Sequence, residues 1–205
     1  MVCLSVVLAI VVSHTALNLV SRVASSRGRA RAVWLAGGTV AMGLGMWSVH
    51  FIAVLALQLP IQLKYDVPAT IVALWLAIIT SGIALALVSR EQLNTVRLVL
   101  GAFVFSAGIC AMSYSGIAAI RVAPEIVHDG MLLASAFGIS FASSLVALSV
   151  AFKARSNTGG GMLALLVGAL VLGFAISAVQ YLELAAAQFD VNAHSLPGTT
   201  LENGW

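Results

Sequence analysis

Six runs of apolar and small residues, at about 3–21, 32–57, 68–88, 97–120, 131–152 and 162–187, take up most of this 205-residue chain. A helix that crosses the hydrocarbon core of a bilayer needs roughly 20 such residues. In lipid each segment must also satisfy its own backbone amides, so an apolar run of that length folds as a helix. Charge points the same way. Only 8% of the residues are charged and 61% are hydrophobic, against roughly 25% charged in an ordinary soluble domain. The expected fold is an all-α membrane protein of six transmembrane helices. One domain covers residues 1–189, and a short tail covers 190–205.

The placement of charge sets the orientation. Arg22, Arg27, Arg29 and Arg31 fall between the first and second runs, Arg90 and Arg97 between the third and fourth, and Lys153 and Arg155 between the fifth and sixth. Only Lys64 and Arg121 lie at the other end. The positive-inside rule puts the arginine-rich loops in the cytoplasm and both termini, with the tail, outside. These arginines sit where topology requires them, and no nucleic-acid role is read from them. The first run lacks a basic segment ahead of it, unlike a signal peptide, and reads as a retained helix. Cys3 and Cys110 form no C-x-x-C pattern. No phosphate-binding, dinucleotide-binding, nucleophile-elbow or zinc-protease motif is present. With no recognisable nucleophile and base, the chain reads as a non-enzyme.

The runs come in pairs, and the pairs repeat. "AMGLGMWSVHFIAVLAL" (41–57) aligns without gaps on "VFSAGICAMSYSGIAAI" (104–120) and "VLGFAISAVQYLELAAA" (171–187). Gly38 then matches Gly101 and Gly168, and Gly45 matches Gly108 and Ala175. Phe51 matches Tyr114 and Tyr181. The first helix of each pair ends on Arg22, Arg90 or Lys153. Asp66 and Asp129 align ahead of the third and fifth runs as N-caps, with Pro68 in the first turn that follows Asp66. The expected architecture is three repeated helix pairs in a pseudo-threefold bundle. Small residues spaced along one stripe let helices approach closely, so helices two, four and six are expected to pack together at its centre. His50, Ser113 and Gln180 occupy one register of the repeat. A histidine is costly to bury in hydrocarbon unless something bonds it, and three aligned polar side chains suggest a shared polar locus near the outer ends of these helices.

These motifs resemble the MHYT domain, a bacterial integral-membrane sensory domain named for a Met-His-Tyr-Thr motif repeated three times. "GMWSVHFIAVLA" resembles the first motif, "AMSYSGIAAI" the second and "VQYLE" the third; "SHTALNLVSR" and "KYDVP" resemble the first helix end and an outer loop. The resemblance runs from about residue 4 to 189. It implies a signal-input module in the bacterial inner membrane that senses a diatomic gas through copper held by Met and His. It also implies coupling to cytoplasmic output domains that make or break cyclic di-GMP, or to kinases. No such output domain is read in these residues, so beside the lipid bilayer the expectation is a separate signalling output protein as partner, or that these residues are a fragment of a longer gene product. Position by position, His50 is kept, while Val49 stands at the first Met. Met112 and Tyr114 are kept in the second motif, where Ser113 replaces His. In the third only Tyr181 is kept, and Gln180 replaces His.

Met42, Met46 and His50 are spaced by four and share a helix face. With Cys110 and Met112 they make a soft donor set suited to Cu(I), whereas Ser and Gln are poor ligands for it. The same methionines also suit plain core packing. Glu183 lies one turn outward of Gln180, and an acid inside an apolar run marks a functional position. The spacing offers His50 a bond to Gln180 or Glu183 across the bundle, or to Ser113 or a backbone carbonyl. His14, beside Asn18, reads as a satisfied interface residue, and His128 and His194 as solvated. The leading function is a membrane sensory module that binds a small ligand, a diatomic gas or a metal, near the outer leaflet. The alternatives are a proton or small-solute transporter, or a partner-binding protein that has lost its metal.

Overall fold

The computed structural model describes residues 2–56, 64–90, 94–123, 127–128, 130–156, 161–188, 194–195 and 200–202. Six long helices follow one another: α1 Val2–Ser25, α2 Gly28–Leu55, α3 Val67–Val88, α4 Thr95–Ala118, α5 Gly130–Ser156 and α6 Gly161–Ala186. All six are long and apolar enough to cross a membrane. Local chemistry sets several of their ends. Asp66 caps α3, its side chain accepting from the amide of Ala69 at 3.1 Å, with proline in the first turn. Asn94 caps α4 by accepting from Arg97 N–H at 2.8 Å. Gly28 opens α2 at φ 54, a conformation that suits glycine. The cap expected at Asp129 lies outside the described residues.

Each helix packs on its neighbours in sequence, and α1 packs on α6, so the six close into a ring. Each odd helix turns a stripe of small residues inward at intervals of four. Ser5, Ala9, Ser13 and Leu17 line up on α1; Ala73, Ala77, Ser81 and Leu85 on α3; Ala136, Ser140, Ser144 and Leu148 on α5. All twelve are buried. The opposite face of α3 carries Ile71, Trp75, Ile79 and Ile83, all exposed. A bilayer covers that face.

Most glycines of the even helices meet odd helices, and Gly116 of α4 meets α2. A methyl on Gly38 would meet Leu85 at 2.9 Å, and one on Gly168 would meet Leu17 at 3.2 Å. One on Gly101 would strike Leu87 of α3 and meet Leu148 of α5 at 3.5 Å. One on Gly43 would strike the backbone of Ile78, and one on Gly173 the backbone of Ile10. Helices α2, α4 and α6 touch each other through few residues. The expectation that they pack tightly at the centre is therefore corrected. The notches at Gly38, Gly43, Gly168 and Gly173 are filled from the next helix pair, those at Gly45 and Gly108 from the odd helix of the same pair, and the centre holds a cavity.

The two ends of the ring differ. At one end the α1–α2 turn is short and Arg22 stacks on Trp34, 4.9 Å from the ring centroid. At the other, three short antiparallel ribbons tie the loops together. β1 Lys64–Asp66 pairs with β6 Thr200–Glu202, β2 Val122–Ala123 with β5 His194–Ser195, and β3 Val127–His128 with β4 Ala187–Gln188. Residues 64–66 also bond 119–121, through Asp66 N–H to Ala119 O at 2.7 Å and Arg121 N–H to Lys64 O at 2.8 Å. The side chains of His128, Asp129 and His194 lie outside the described ones.

Candidate functional site

His50 is fully buried, and neither ring nitrogen has a hydrogen-bond partner. Its ring lies close against α4: a methyl on Gly116 would come within 2.5 Å of Nε2 and 2.8 Å of Cδ2. On its own helix it meets Phe51 edge-on, with centroids 5.5 Å apart. Phe51 in turn contacts Trp47 at 4.6 Å and Tyr65 at 5.6 Å. A position with no side chain therefore makes room for the imidazole. The sequence spacing offered His50 a bond to Gln180, Glu183 or Ser113; none forms.

Glu183 is also buried. Its carboxyl sits beside the Ser113 hydroxyl and the Cys110 thiol, and that thiol also faces Ser140 of α5. Neither carboxyl oxygen reaches hydrogen-bond geometry. Two polar contacts thus meet on one face of α4, one turn apart. Gly116 takes His50 from α2, and Ser113 takes Glu183 from α6. Gln180, the third member of the register, is buried with its Oε1 unpartnered.

Inward of this locus lies a cavity of about 100 Å³ that all six helices line. Met42 and Met46 of α2, Ile109 of α4 and Val179 and Gln180 of α6 belong to its wall. So do Ser13 of α1 and Ser140, Ser143 and Ser144 of α5. The lining is mostly apolar. The Ser13 and Ser140 hydroxyls are buried without a partner. Met46 and Gln180 lie one turn inward of His50 and Glu183, so the cavity and the polar locus are neighbours.

The soft donors do not gather. Met42 and Met46 are on the cavity wall, and Met46 Sδ accepts from the Ser81 hydroxyl at 3.5 Å. Met112 packs against Ala73 and Ala77 of α3. Cys110 faces Glu183, and His50 lies on Gly116. Among the described residues no three His, Cys, Asp or Glu side chains come together to hold a metal. His14 is half-buried, with the Asn18 amide donating to its backbone carbonyl at 2.9 Å.

The family model described as the bacterial signalling protein N-terminal repeat, MHYT, matches residues 43–101 and 107–164. The chain belongs to the MHYT family. Over 206 residues it is 41% identical to the bifunctional diguanylate cyclase/cyclic di-GMP phosphodiesterase MucR of Pseudomonas aeruginosa, covering 100% of this chain and 30% of MucR. It is 31% identical to the signaling protein YkoW of Bacillus subtilis and to the cyclic di-GMP phosphodiesterase NbdA of P. aeruginosa, covering 98% of this chain and 25% of each relative. The chain thus spans less than a third of the length of these relatives. No solved structure matches it. The six apolar helices and this membership make it a multi-pass membrane protein.

Reading the MHYT repeats only on the even helices missed the inner serines. Ser13, Ser81 and Ser144 fall at one register once the odd helices are aligned on Arg22, Arg90 and Lys153. That signal was present, nine residues upstream of each basic end.

Proposed function

We propose that this chain is the input module of a signalling protein, and that it binds a small uncharged molecule of diatomic size in the central cavity. The observation that carries this reading is the cavity itself. It is small, apolar, lined by every helix, and edged by the unpartnered hydroxyls of Ser13 and Ser140. An occupant there touches all three helix pairs at once, so it can shift their packing, provided it binds one arrangement better than another. Gln180 and Met46 couple the cavity to the His50–Gly116 and Ser113–Glu183 contacts one turn outward, which makes these the positions most sensitive to occupancy.

The bundle is arranged about a pseudo-threefold axis. Supporting this, Leu85, Leu148 and Leu17 occupy one register of the odd helices and lie beside Gly38, Gly101 and Gly168, one register of the even helices, with Leu87 nearer still to Gly101. Both termini and the tail lie outside, and the arginine-rich end is cytoplasmic. Copper is not needed for this reading, because the donor set is dispersed. The chain performs no catalysis itself. Its signal passes to an output unit of the kind that the names of MucR and NbdA print.

The test is a chimera in which this chain replaces the matching segment of MucR. Cyclic di-GMP is then measured in cells exposed to nitric oxide, carbon monoxide or oxygen. A gas-dependent change that is lost on filling the cavity, with Ala84→Leu or Ser144→Leu, supports the proposal. A chimera whose output follows gas equally well with the cavity filled contradicts it.

A further inference from the structure

A second, larger cleft of about 530 Å³ opens at the arginine-rich end, between the start of α2, the end of α3 and the first turn of α4. Arg31, Ser89, Arg90 and Arg97 line it, above a floor of Val23, Leu35 and Ala86. No acidic side chain among the described residues belongs to its wall. Topology requires basic residues at this end, but not that those of three helices should face one space. Arg27 and Arg29, at the same helix start as Arg31, are exposed and take no part. Arg31 is half-buried and donates to the carbonyl of Ser89 at 3.2 Å. A guanidinium has five N–H donors, so that bond fixes the group in the cleft and leaves others to offer. Ser89 is 2% exposed, and its hydroxyl has no partner.

We propose that this cleft binds a phosphate ester, with the Arg31 and Arg97 guanidinium groups and the Ser89 hydroxyl as its ligands. Guanidinium matches phosphate bidentately, and an anion between like charges relieves their repulsion. The apolar floor of Val23, Leu35 and Ala86 suits the start of an acyl chain. Basic pockets between membrane helices commonly take anionic headgroups. The same chemistry also admits free inorganic phosphate, and the experiment separates the two.

The purified chain, freed of endogenous lipid in mild detergent, is titrated with phosphatidylglycerol, phosphatidylcholine and inorganic phosphate, and bound species are counted by native mass spectrometry. One phosphatidylglycerol should bind in preference to phosphatidylcholine. The paired variant Arg31→Gln, Arg97→Gln should weaken it by about tenfold or more. The pair Arg27→Gln, Arg29→Gln, an equal charge loss outside the cleft, should leave it within about twofold. Inorganic phosphate that binds and displaces the lipid at millimolar concentration, with the same dependence on Arg31 and Arg97, assigns the site to free phosphate. Equal weakening by both pairs, or no preference between the lipids, overturns the proposal. If the first pair does not fold, Ser89→Ala and Arg97→Gln are read singly, and no change in either overturns it as well.

Discussion

At the scale of single residues, His50 is held by shape. Its ring occupies the space that Gly116 leaves, and its nitrogens find no hydrogen-bond partner among the described residues. Gly116→Ala should therefore force the imidazole aside and cost about 1–3 kcal/mol, the usual penalty for overpacking. The cost should shrink in a His50→Ala background, because the clash is then gone. Unfolding of the four combinations in detergent measures this, and equal costs in both backgrounds would refute the contact. Glu183 answers to Ser113 and Cys110, so His50→Ala and Glu183→Gln should combine within about 0.5 kcal/mol. A larger coupling would reveal a bond between them. The locus was visible in the sequence as three aligned polar positions, His50, Ser113 and Gln180. Their partners were not, because the deciding residue on α4 is a glycine, and only the packing of α2 against α4 shows what its missing side chain admits.

At the scale of elements, the repeat reads most clearly on the even helices, where glycines and aromatic residues recur. It reads faintly on the odd ones, where serine, alanine and leucine substitute for each other along a stripe that packing alone reveals as inward. Gly38, Gly101 and Gly168 were legible as close-approach residues, but Gly43 and Gly173, which meet the backbones of Ile78 and Ile10, were not, since those isoleucines look like any lipid-facing isoleucine. The start of α3 was fully legible. Asp66 caps it, and Arg121 donates to the same carboxylate through Nε at 3.2 Å and through NH2. The Arg121 guanidinium, and then the Ala69 amide, hold the Asp66 carboxyl below the usual carboxylate range. Because the folded value is the lower one, the contribution of this group to stability is complete above the ordinary carboxylate range. It is lost as pH falls through the folded value. The melting temperature should therefore decline on acidification with a component that Asp66→Asn removes. An unchanged acid limb in that variant would show that the cap and ion pair are not coupled to folding.

At the scale of the whole molecule, six helices close a ring because α1 reaches α6. Tyr181 of α6 donates to the Ser5 hydroxyl at 2.7 Å, and Ser5 in turn donates to the carbonyl of Val2 at 2.8 Å. Closure of this kind cannot be read from apolar runs, which give length and order but not which faces meet. Orientation can be checked directly. In a background lacking Cys3 and Cys110, a cysteine at Gln62 should label from outside intact cells and one at Ser26 should not; the reverse pattern would invert the topology. Purified protein should hold much less than one copper per chain, and stoichiometric copper lost on His50→Ala would restore the metal reading. The central claim, that the ring encloses a cavity able to hold a small neutral molecule, is tested most directly by melting the chain in lipid nanodiscs under rising xenon pressure. A ligand that binds the folded state alone raises its stability by mass action. The wild-type melting temperature should rise with pressure, while Ala84→Leu and Ser144→Leu, which fill the cavity, should show only the shift due to xenon in the lipid. Equal shifts in all three proteins would contradict the account.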